Sequence, residues 1–442
     1  MRIASLKKYT AAILVLLLLS FSVGAADIPS AGLKEDSVPH VENAMAMAVY
    51  NIENDIVVFG INEDTVLPTA SFAKMMTAVC AYEVLYDRLD DTVTVEYSMI
   101  KDVVGNQVGF YVGETVAVRD LFGGLLTRGA NDCAYLLGYA AKGSVGDFVA
   151  YMNEKAAIFG MTDTVYKNPT GMHADGMVTS AKDSLIIARR FYENEFLTSL
   201  ANSVTYNMPA TNEAKSRLIY NRNALVSRVS ETGYFDSRIT GINAGSTTEA
   251  GYYAASAVKN EELSYIIVVL GGKMEEEKNY AYLLTRELAT YALNGFAYTE
   301  VIKTSDIICE IPVRLSTDAD YVTLVPAESL TLYLPVALDV KQQLDFSYEL
   351  TSDTLDAPVT EGQAAGRYTV SRDGETLGVV DLVARNSVAR SEFLAVLDSI
   401  ERFTANPIFI SVLAAAALLV ILHFVLRGIM RTRRRRRNYR RR

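Results

Sequence analysis

Residues Pro407 to Leu426 form a run of 20 residues without a charge. As a helix such a run is about 30 Å long, enough to cross the hydrocarbon core of a bilayer. His423, near its end, is the one strongly polar residue in it. A core helix is rarely so uniformly apolar, so the run reads as a membrane span. The tail after it, RGIMRTRRRRRNYRRR (residues 427–442), holds ten arginines and no acid. Flanking basic residues stay on the cytoplasmic side. The bulk of the chain must then fold on the other side of the membrane.

The N-terminus agrees with that topology. Arg2, Lys7 and Lys8 precede an apolar stretch from Ala11 to Val23, and Val23-Gly24-Ala25-Ala26 offers small residues for cleavage. Residues 1–26 read as a secretory signal peptide, with an uncleaved anchor as the alternative. The whole chain carries −10. Without the three basic residues of the signal and the ten of the tail, residues 27–426 carry −23. An exported body this acidic is not built for nucleic acid. The arginine tail is more simply a topology anchor that also attracts anionic lipid.

Three cysteines, Cys80, Cys133 and Cys309, form no CxxC pair, so neither zinc nor a redox motif is indicated. Cys80 and Cys133 lie in apolar helical contexts that suit a core; the spacing leaves open whether a disulfide forms. The histidines are His40, His173 and His423 alone. A zinc hydrolase or a Ser-His-Asp enzyme has little to work with, and no metal or cofactor is expected.

Taken in order, Ala44–Asn51 and Ile56–Phe59 flank an Asn54-Asp55 turn and predict a hairpin. A helix follows Pro68 and runs to about Tyr86. Arg119-Asp120 opens another through Leu126, broken at Thr127–Ala130 and resumed at Asn131 or Asp132. Asp147–Phe159, closed by Gly160, is amphipathic. Ser180 with Asp183 reads as a capping box for a helix over residues 181–192. Strands dominate from Ser216, and a helix over about Glu276–Asn294 ends the first domain. This order predicts an α+β fold, an antiparallel sheet with a largely helical insertion. Residues 297–386 read as a separate small β domain, with Asp373-Gly374 marking a hairpin. Residues 391–404 place Phe393, Leu397, Ile400 and Phe403 on one helical face. That juxtamembrane helix can pack on the β domain or lie on the membrane surface, packing being the plainer reading.

The chemical hint lies in PTASFAKMMTAV, residues Pro68 to Val79, where Ser71 and Lys74 stand three apart. On a helix they share a face. A lysine partly buried there has its pKa lowered by desolvation and can serve as base to a serine nucleophile. The start of the helix also favours developing negative charge. Ser-x-x-Lys alone is weak, since a surface serine beside a solvated lysine gives the same match.

More motifs strengthen it. Pro68–Lys74 followed by Met75-Met76-Thr77-Ala78 resembles the PASxxKxMTA block of the serine-type D-alanyl-D-alanine carboxypeptidases, the low-molecular-mass penicillin-binding proteins. Gly113-Glu114, Val116, Asp120-Leu121 and Leu125-Leu126 resemble that family's approach to its second motif. Asn168-Pro169-Thr170-Gly171-Met172-His173 resembles its NPxGLH loop, which makes His173 a scaffold residue. Gly245-Ser246-Thr247-Thr248-Glu249-Ala250-Gly251-Tyr252 resembles its GxTxxAGY. The resemblance covers roughly residues 40–296 and weakens through the β domain. It implies a β-lactamase/transpeptidase-like fold in which Ser71 attacks the penultimate D-Ala carbonyl of a peptidoglycan stem peptide. Lys74 is then the base, and the Ser71 and Ser246 backbone N–H groups form the oxyanion hole. Asn131 binds the substrate amide, and Asn243, Gly245, Ser246 and Thr247 line the substrate strand. β-Lactams, as substrate mimics, are implied ligands.

Two motifs depart from that pattern. Gly129-Ala130-Asn131 stands where the family has Ser-x-Asn, so the hydroxyl that relays a proton to the leaving amine is gone. Asn243-Ala244-Gly245 stands where it has Lys-Thr-Gly, so the cation and hydroxyl that hold a terminal carboxylate are missing. Losing a charge-assisted contact costs about 1.5–3 kcal/mol, roughly 10- to 150-fold in rate. Losing a proton relay costs on the order of 10²–10⁴-fold. Arg128 is a candidate replacement cation, with an exposed loop arginine as the plainer reading. Two functions follow: a carboxypeptidase of reduced or altered activity, or a membrane-tethered peptidoglycan-binding or regulatory pseudoenzyme. A β-lactamase-like hydrolase suits the tethered β domain less well.

Overall fold

A computed structural model of the chain describes residues 41–229 and 233–439. The signal-peptide reading and the last three residues of the arginine tail lie outside the described residues. Two compact units are present. The first runs to Ala297 and takes in Pro335–Ala337; the second holds Tyr298–Leu334 and residues from Leu338 onward.

The first unit is built on five antiparallel strands. β1 (Ala46–Asn51) and β2 (Ile56–Ile61) form the expected hairpin. The helical block follows, with α1 (Ala73–Leu85), α2 (Asn131–Lys142), α3 (Val145–Phe159) and α4 (Ala181–Tyr192). The chain returns as β3 (Ile239–Thr247), β4 (Gly251–Lys259) and β5 (Ser264–Gly272), and the sheet order is β2-β1-β5-β4-β3. α5 (Tyr280–Gly295) packs on β4 and β5. Central strand β5 is covered on both faces, which explains its unbroken YIIVVL run. Ile266, Val268 and Leu270 join the helical core, while Tyr265, Ile267 and Val269 are buried on the other face.

α1 is the axis of that core. Ala73 to Ala78, Cys80, Ala81 and Leu85 are all buried, so the helix is enclosed on nearly every side. The sheet and the other helices therefore fix the position of its first turn. Cys80 and Cys133 are buried as free thiols, and Cys309 is free as well.

Several local expectations need correction. The helix expected through Leu126 is α-helical over Val118–Gly123, then widens into a π-type turn over Gly124–Arg128. The helix expected from Glu276 begins at Tyr280. Glu276 and Glu277 take φ of +50° and +63° and turn a short hairpin, Met274–Glu275 against Lys278–Asn279. The Asn279 side chain then caps the helix by accepting the Ala281 N–H at 3.1 Å. The Ser180–Asp183 box is only half made. Ser180 Oγ accepts the Asp183 N–H, but the Asp183 carboxylate accepts from Asp163 N and Thr164 Oγ1 instead.

The second unit is a six-stranded sheet with its own core. Its strands are β6 (Cys309–Arg314), β7 (Tyr321–Pro326), β8 (Asp345–Leu350), β9 (Leu355–Asp356), β10 (Ala364–Arg372) and β11 (Glu375–Ala384), in the order β8-β10-β11-β7-β6-β9. Asp373 and Gly374, both at positive φ, turn the β10–β11 hairpin as the Asp-Gly signal requires. α6 (Glu392–Ala405) follows. Its apolar face is not packed as expected: Phe393 is 70% exposed, and Leu397, Ile400 and Phe403 are exposed too. Polar groups tie it to the sheet instead. Arg314 donates to Asp398 at 2.7 Å, and Arg402 bridges Asp398 and Asp356. α7 (Pro407–Tyr439) contains the stretch Pro407–Arg431, long and apolar enough to cross a membrane.

One buried ion pair braces the first unit. The Glu114 carboxylate is fully buried and receives both ends of the Arg217 guanidinium at 2.6 and 2.9 Å. It also accepts from Tyr111 N and Thr211 Oγ1. Burial pushes its pKa up, but these donors outweigh that and hold it below the ordinary value. Arg217→Met should therefore cost about 3–5 kcal/mol at neutral pH by stranding the carboxylate. A depressed carboxyl stabilises above its unfolded pKa and loses that contribution as pH falls through the folded one. The melting-temperature gap between wild type and variant, measured on the full-length protein in detergent, should narrow as pH falls below about 4.

Candidate active site

The chain enters α1 through a strained step. Leu67–Pro68 pairs with Val178–Thr179, and Ala70 then takes φ of +47°, unusual for a residue with a side chain. A single tight turn, Ala70–Phe72, carries Ser71 directly into α1. One turn on, the Lys74 amine donates to Ser71 Oγ at 2.8 Å and to the Thr170 carbonyl at 2.7 Å. Lys74 is 3% exposed, and burial lowers its pKa to about 7. Ser71 and Lys74 are thus a contact pair with an amine that is partly neutral at neutral pH.

The loop over Asn168–His173 builds the wall beside this pair. Asn168 Oδ1 accepts from Thr170 N, Thr170 Oγ1 and Gly171 N, and its Nδ2 donates to the Met172 carbonyl. Thr77 Oγ1 donates to the Pro169 carbonyl at 2.7 Å. Gly171, at φ +80°, lies so close to the turn that a Cβ there would overlap the Ala70 carbonyl. The loop holds the Thr170 carbonyl on Lys74. His173 is exposed, 3.8 Å from Asp175, outside this bonding.

Asn131 opens α2 beside the same loop. Its Nδ2 donates to the Val104 carbonyl at 2.6 Å, and its N–H to Asn106 O at 2.6 Å. Its Oδ1 is buried without a hydrogen-bond partner among the described residues. Gly105 lies against that amide on one side and the Met172 sulfur on the other. Gly129 takes φ of +69°, so a serine here meets a left-handed backbone as well as a sequence change. Arg128 is half-buried rather than exposed, and its Nε donates to the Gln107 carbonyl at 2.7 Å.

β3 lies against the Ser71 turn. Asn243, Ala244 and Gly245 follow one another along it, and Asn243 Oδ1 is a second buried acceptor without a partner among the described residues. The Ser246 side chain is exposed. Thr247 Oγ1 accepts the Ala250 N–H at 3.1 Å, so this hydroxyl holds the β3–β4 turn.

One residue at the site escaped the sequence reading. Tyr253 pairs across the sheet with Gly245 and is 3% exposed, and its hydroxyl fills the space a Gly245 side chain would take. Its ring meets Phe72 edge-on, centroids 5.0 Å apart. Burial pushes the phenol pKa up to about 12, while interactions with the Ser71 hydroxyl and backbone pull it down. The one signal in the sequence was the doubled Tyr252-Tyr253, whose alternation turns one ring inward. Among the described residues no three His, Cys, Asp or Glu side chains cluster as a metal site.

The comparisons with known proteins bear on the family and the fold. The family model described as D-alanyl-D-alanine carboxypeptidase, Peptidase_S11, matches residues 34–274. A second, described as penicillin-binding protein 5, C-terminal domain, matches residues 296–390. The chain is 26% identical over 378 residues to the D-alanyl-D-alanine carboxypeptidase DacF of Bacillus subtilis, covering 84% of this chain and 92% of that protein. Penicillin-binding protein 5 from Haemophilus influenzae superposes with a TM-score of 0.55 at 22% identity, covering 79% of this chain and 98% of that one. DacD from Francisella tularensis gives 0.56 at 20%, covering 82% and 96%. These structures share the fold of an α+β transpeptidase-like domain with a C-terminal β domain. With more than half its length matched by one family model, the chain belongs to the D-alanyl-D-alanine carboxypeptidase family.

Proposed function

We propose that this protein is a serine-type D-alanyl-D-alanine carboxypeptidase-like enzyme acting on peptidoglycan stem peptides, with altered recognition of the substrate terminus. The observation that carries this is the Ser71–Lys74 contact at 2.8 Å, with burial lowering the Lys74 pKa to about 7. Ser71 Oγ attacks the penultimate D-Ala carbonyl carbon. Its proton passes to neutral Lys74, the C–N bond breaks, and that proton goes to the leaving nitrogen. Water then cleaves the Ser71 ester. Main-chain N–H groups of Ser71 and Ser246 are the proposed oxyanion donors; they survive side-chain change.

Altered recognition follows from Asn243 and Ala244. Without lysine and threonine there, positions 243 and 244 offer neither a cation nor a hydroxyl to a carboxylate. Asn243 puts an uncharged amide, able to donate as well as accept, where a free carboxylate would call for a cation, which suits an amide or an internal peptide bond better than a free terminus. The same substitutions, with Gly129, favour a second reading, a pseudoenzyme that binds peptidoglycan without turnover. In either case α7 tethers a single-pass protein, with its domains on the extracytoplasmic side and the arginine tail in the cytoplasm.

Three outcomes test this. Full-length protein in detergent should form a covalent adduct with a fluorescent penicillin that Ser71→Ala abolishes. No adduct, no D-Ala release from a diacyl-D-Ala-D-Ala peptide, and retention on purified sacculi would establish the pseudoenzyme reading. The acylation rate should rise with pH and level off above an inflection near 7, because only neutral Lys74 can take the proton; a flat profile removes Lys74 as base. The double change Asn243→Lys, Ala244→Thr should raise D-Ala release by roughly 10- to 150-fold, read as kcat/KM on the same peptide.

A further inference from the structure

The first unit holds a cavity of about 520 Å³ between the β1–β2 hairpin and α4, and none of the residues lining it belongs to the Ser71 site. Small-molecule sites run from about 300 to 1,000 Å³. Along α4, Lys182, Ile186 and Arg190 recur every four residues and so share a face, with Leu185 and Arg189 on the neighbouring row. Lys182 and Arg190 stand about 12 Å apart along the axis. Tyr50, Asp55 and Val57 of the hairpin form another wall, and Phe159, the last residue of α3, borders Arg190. These walls are pinned together. Arg189 donates to Asp55 at 2.8 Å and to Tyr50, and its Nε donates to Glu193 at 2.9 Å. At the other end of the row, the Lys182 N–H donates to the Glu63 carbonyl at 3.0 Å and its ammonium to Asp64 at 3.2 Å. The cavity is therefore preorganised.

Charge marks what fits there. Five of the ten lining residues are charged, three of them cations, in a body that is otherwise strongly acidic. Lys182 and Arg189 are answered by the acids just named. Arg190 is not: its guanidinium lies 3.8 Å from the centre of the Phe159 ring and meets no carboxylate among the described residues. Stacking occupies the face of the guanidinium and leaves its N–H edge for a planar anion. Leu185, Ile186 and Val57 supply apolar surface beside it. A bare hydrocarbon chain would leave Asp55, Lys182 and Glu193 unanswered, whereas a peptide backbone brings N–H and C=O groups along the same length.

We propose that this cavity is a second peptide-binding site: it takes a short peptide with small apolar side chains, laid along α4 with its C-terminal carboxylate on Arg190. That carboxylate gives Arg190 the acid partner that Lys182 and Arg189 already have. The apolar side chains cover Ile186 and Val57. Binding there does not depend on acylation of Ser71, and a peptide so held leaves the Ser71 cleft open.

The chain has no tryptophan, so Phe159→Trp places a single indole at the cavity. In the full-length protein in detergent, its emission should change saturably on titration with acetyl-Ala-Ala-Ala bearing a free carboxylate. The C-terminal amide of that peptide should bind at least about tenfold more weakly, and so should the free acid once Arg190→Gln is added. Where the tryptophan variant fails to fold, anisotropy of the same peptide with an N-terminal fluorophore, on wild type and Arg190→Gln, reads the same difference. No saturable response to the free-acid peptide overturns the proposal. So does a response that amidation or Arg190→Gln leaves unchanged, and so does one matched by hexanoate, which carries the carboxylate without the peptide backbone. Fluorescent-penicillin labelling of Ser71 in the same samples tests the acyl-enzyme reading separately.

Discussion

The site depends on one ammonium group held where water cannot reach it. Lys74 is enclosed by α1, the Ser71 hydroxyl and the Thr170 carbonyl, and burial lowers its pKa to about 7. Much of the first unit serves this burial. The sheet backs the helix, the Asn168 amide stiffens the loop, and Gly171 lets that loop approach Ala70. The strained φ at Ala70 is where these constraints meet the backbone.

Around this pair stand two other segments, the start of α2 and the strand β3. The α2 side ends in a left-handed glycine and an asparagine whose Nδ2 is given to a neighbouring carbonyl. On the β3 side the Asn243 Oδ1 is buried. Both leave a buried acceptor unpartnered, which is costly unless something donates to it.

The sequence made much of this readable, for identifiable reasons. Ser71 and Lys74 lie one turn apart, so helical periodicity alone brings them together. Asp373-Gly374 marks its hairpin because only certain residues accept its backbone angles. Asn131 and Asn243 were found through the motifs around them, and the Val104 carbonyl that takes the Asn131 Nδ2 was not, since it lies on a separate loop. Tyr253 was missed because its importance comes from the residue across the sheet. The apolar stripe of α6 was legible as a stripe, but its partner was not: the ion pairs through Asp398 decide which face meets the sheet. Thr247 illustrates the reverse, a motif residue whose hydroxyl is occupied by a turn.

The Thr170 carbonyl that contacts Lys74 lies 96 residues further along the chain. Before that segment arrives, Lys74 is an ordinary surface amine and Ser71 an ordinary alcohol. Reactivity is therefore absent from the emerging polypeptide and appears only once the helical block has closed. The chemistry of the pair is thus a property of the assembled tertiary structure and not of the Ser-x-x-Lys segment alone.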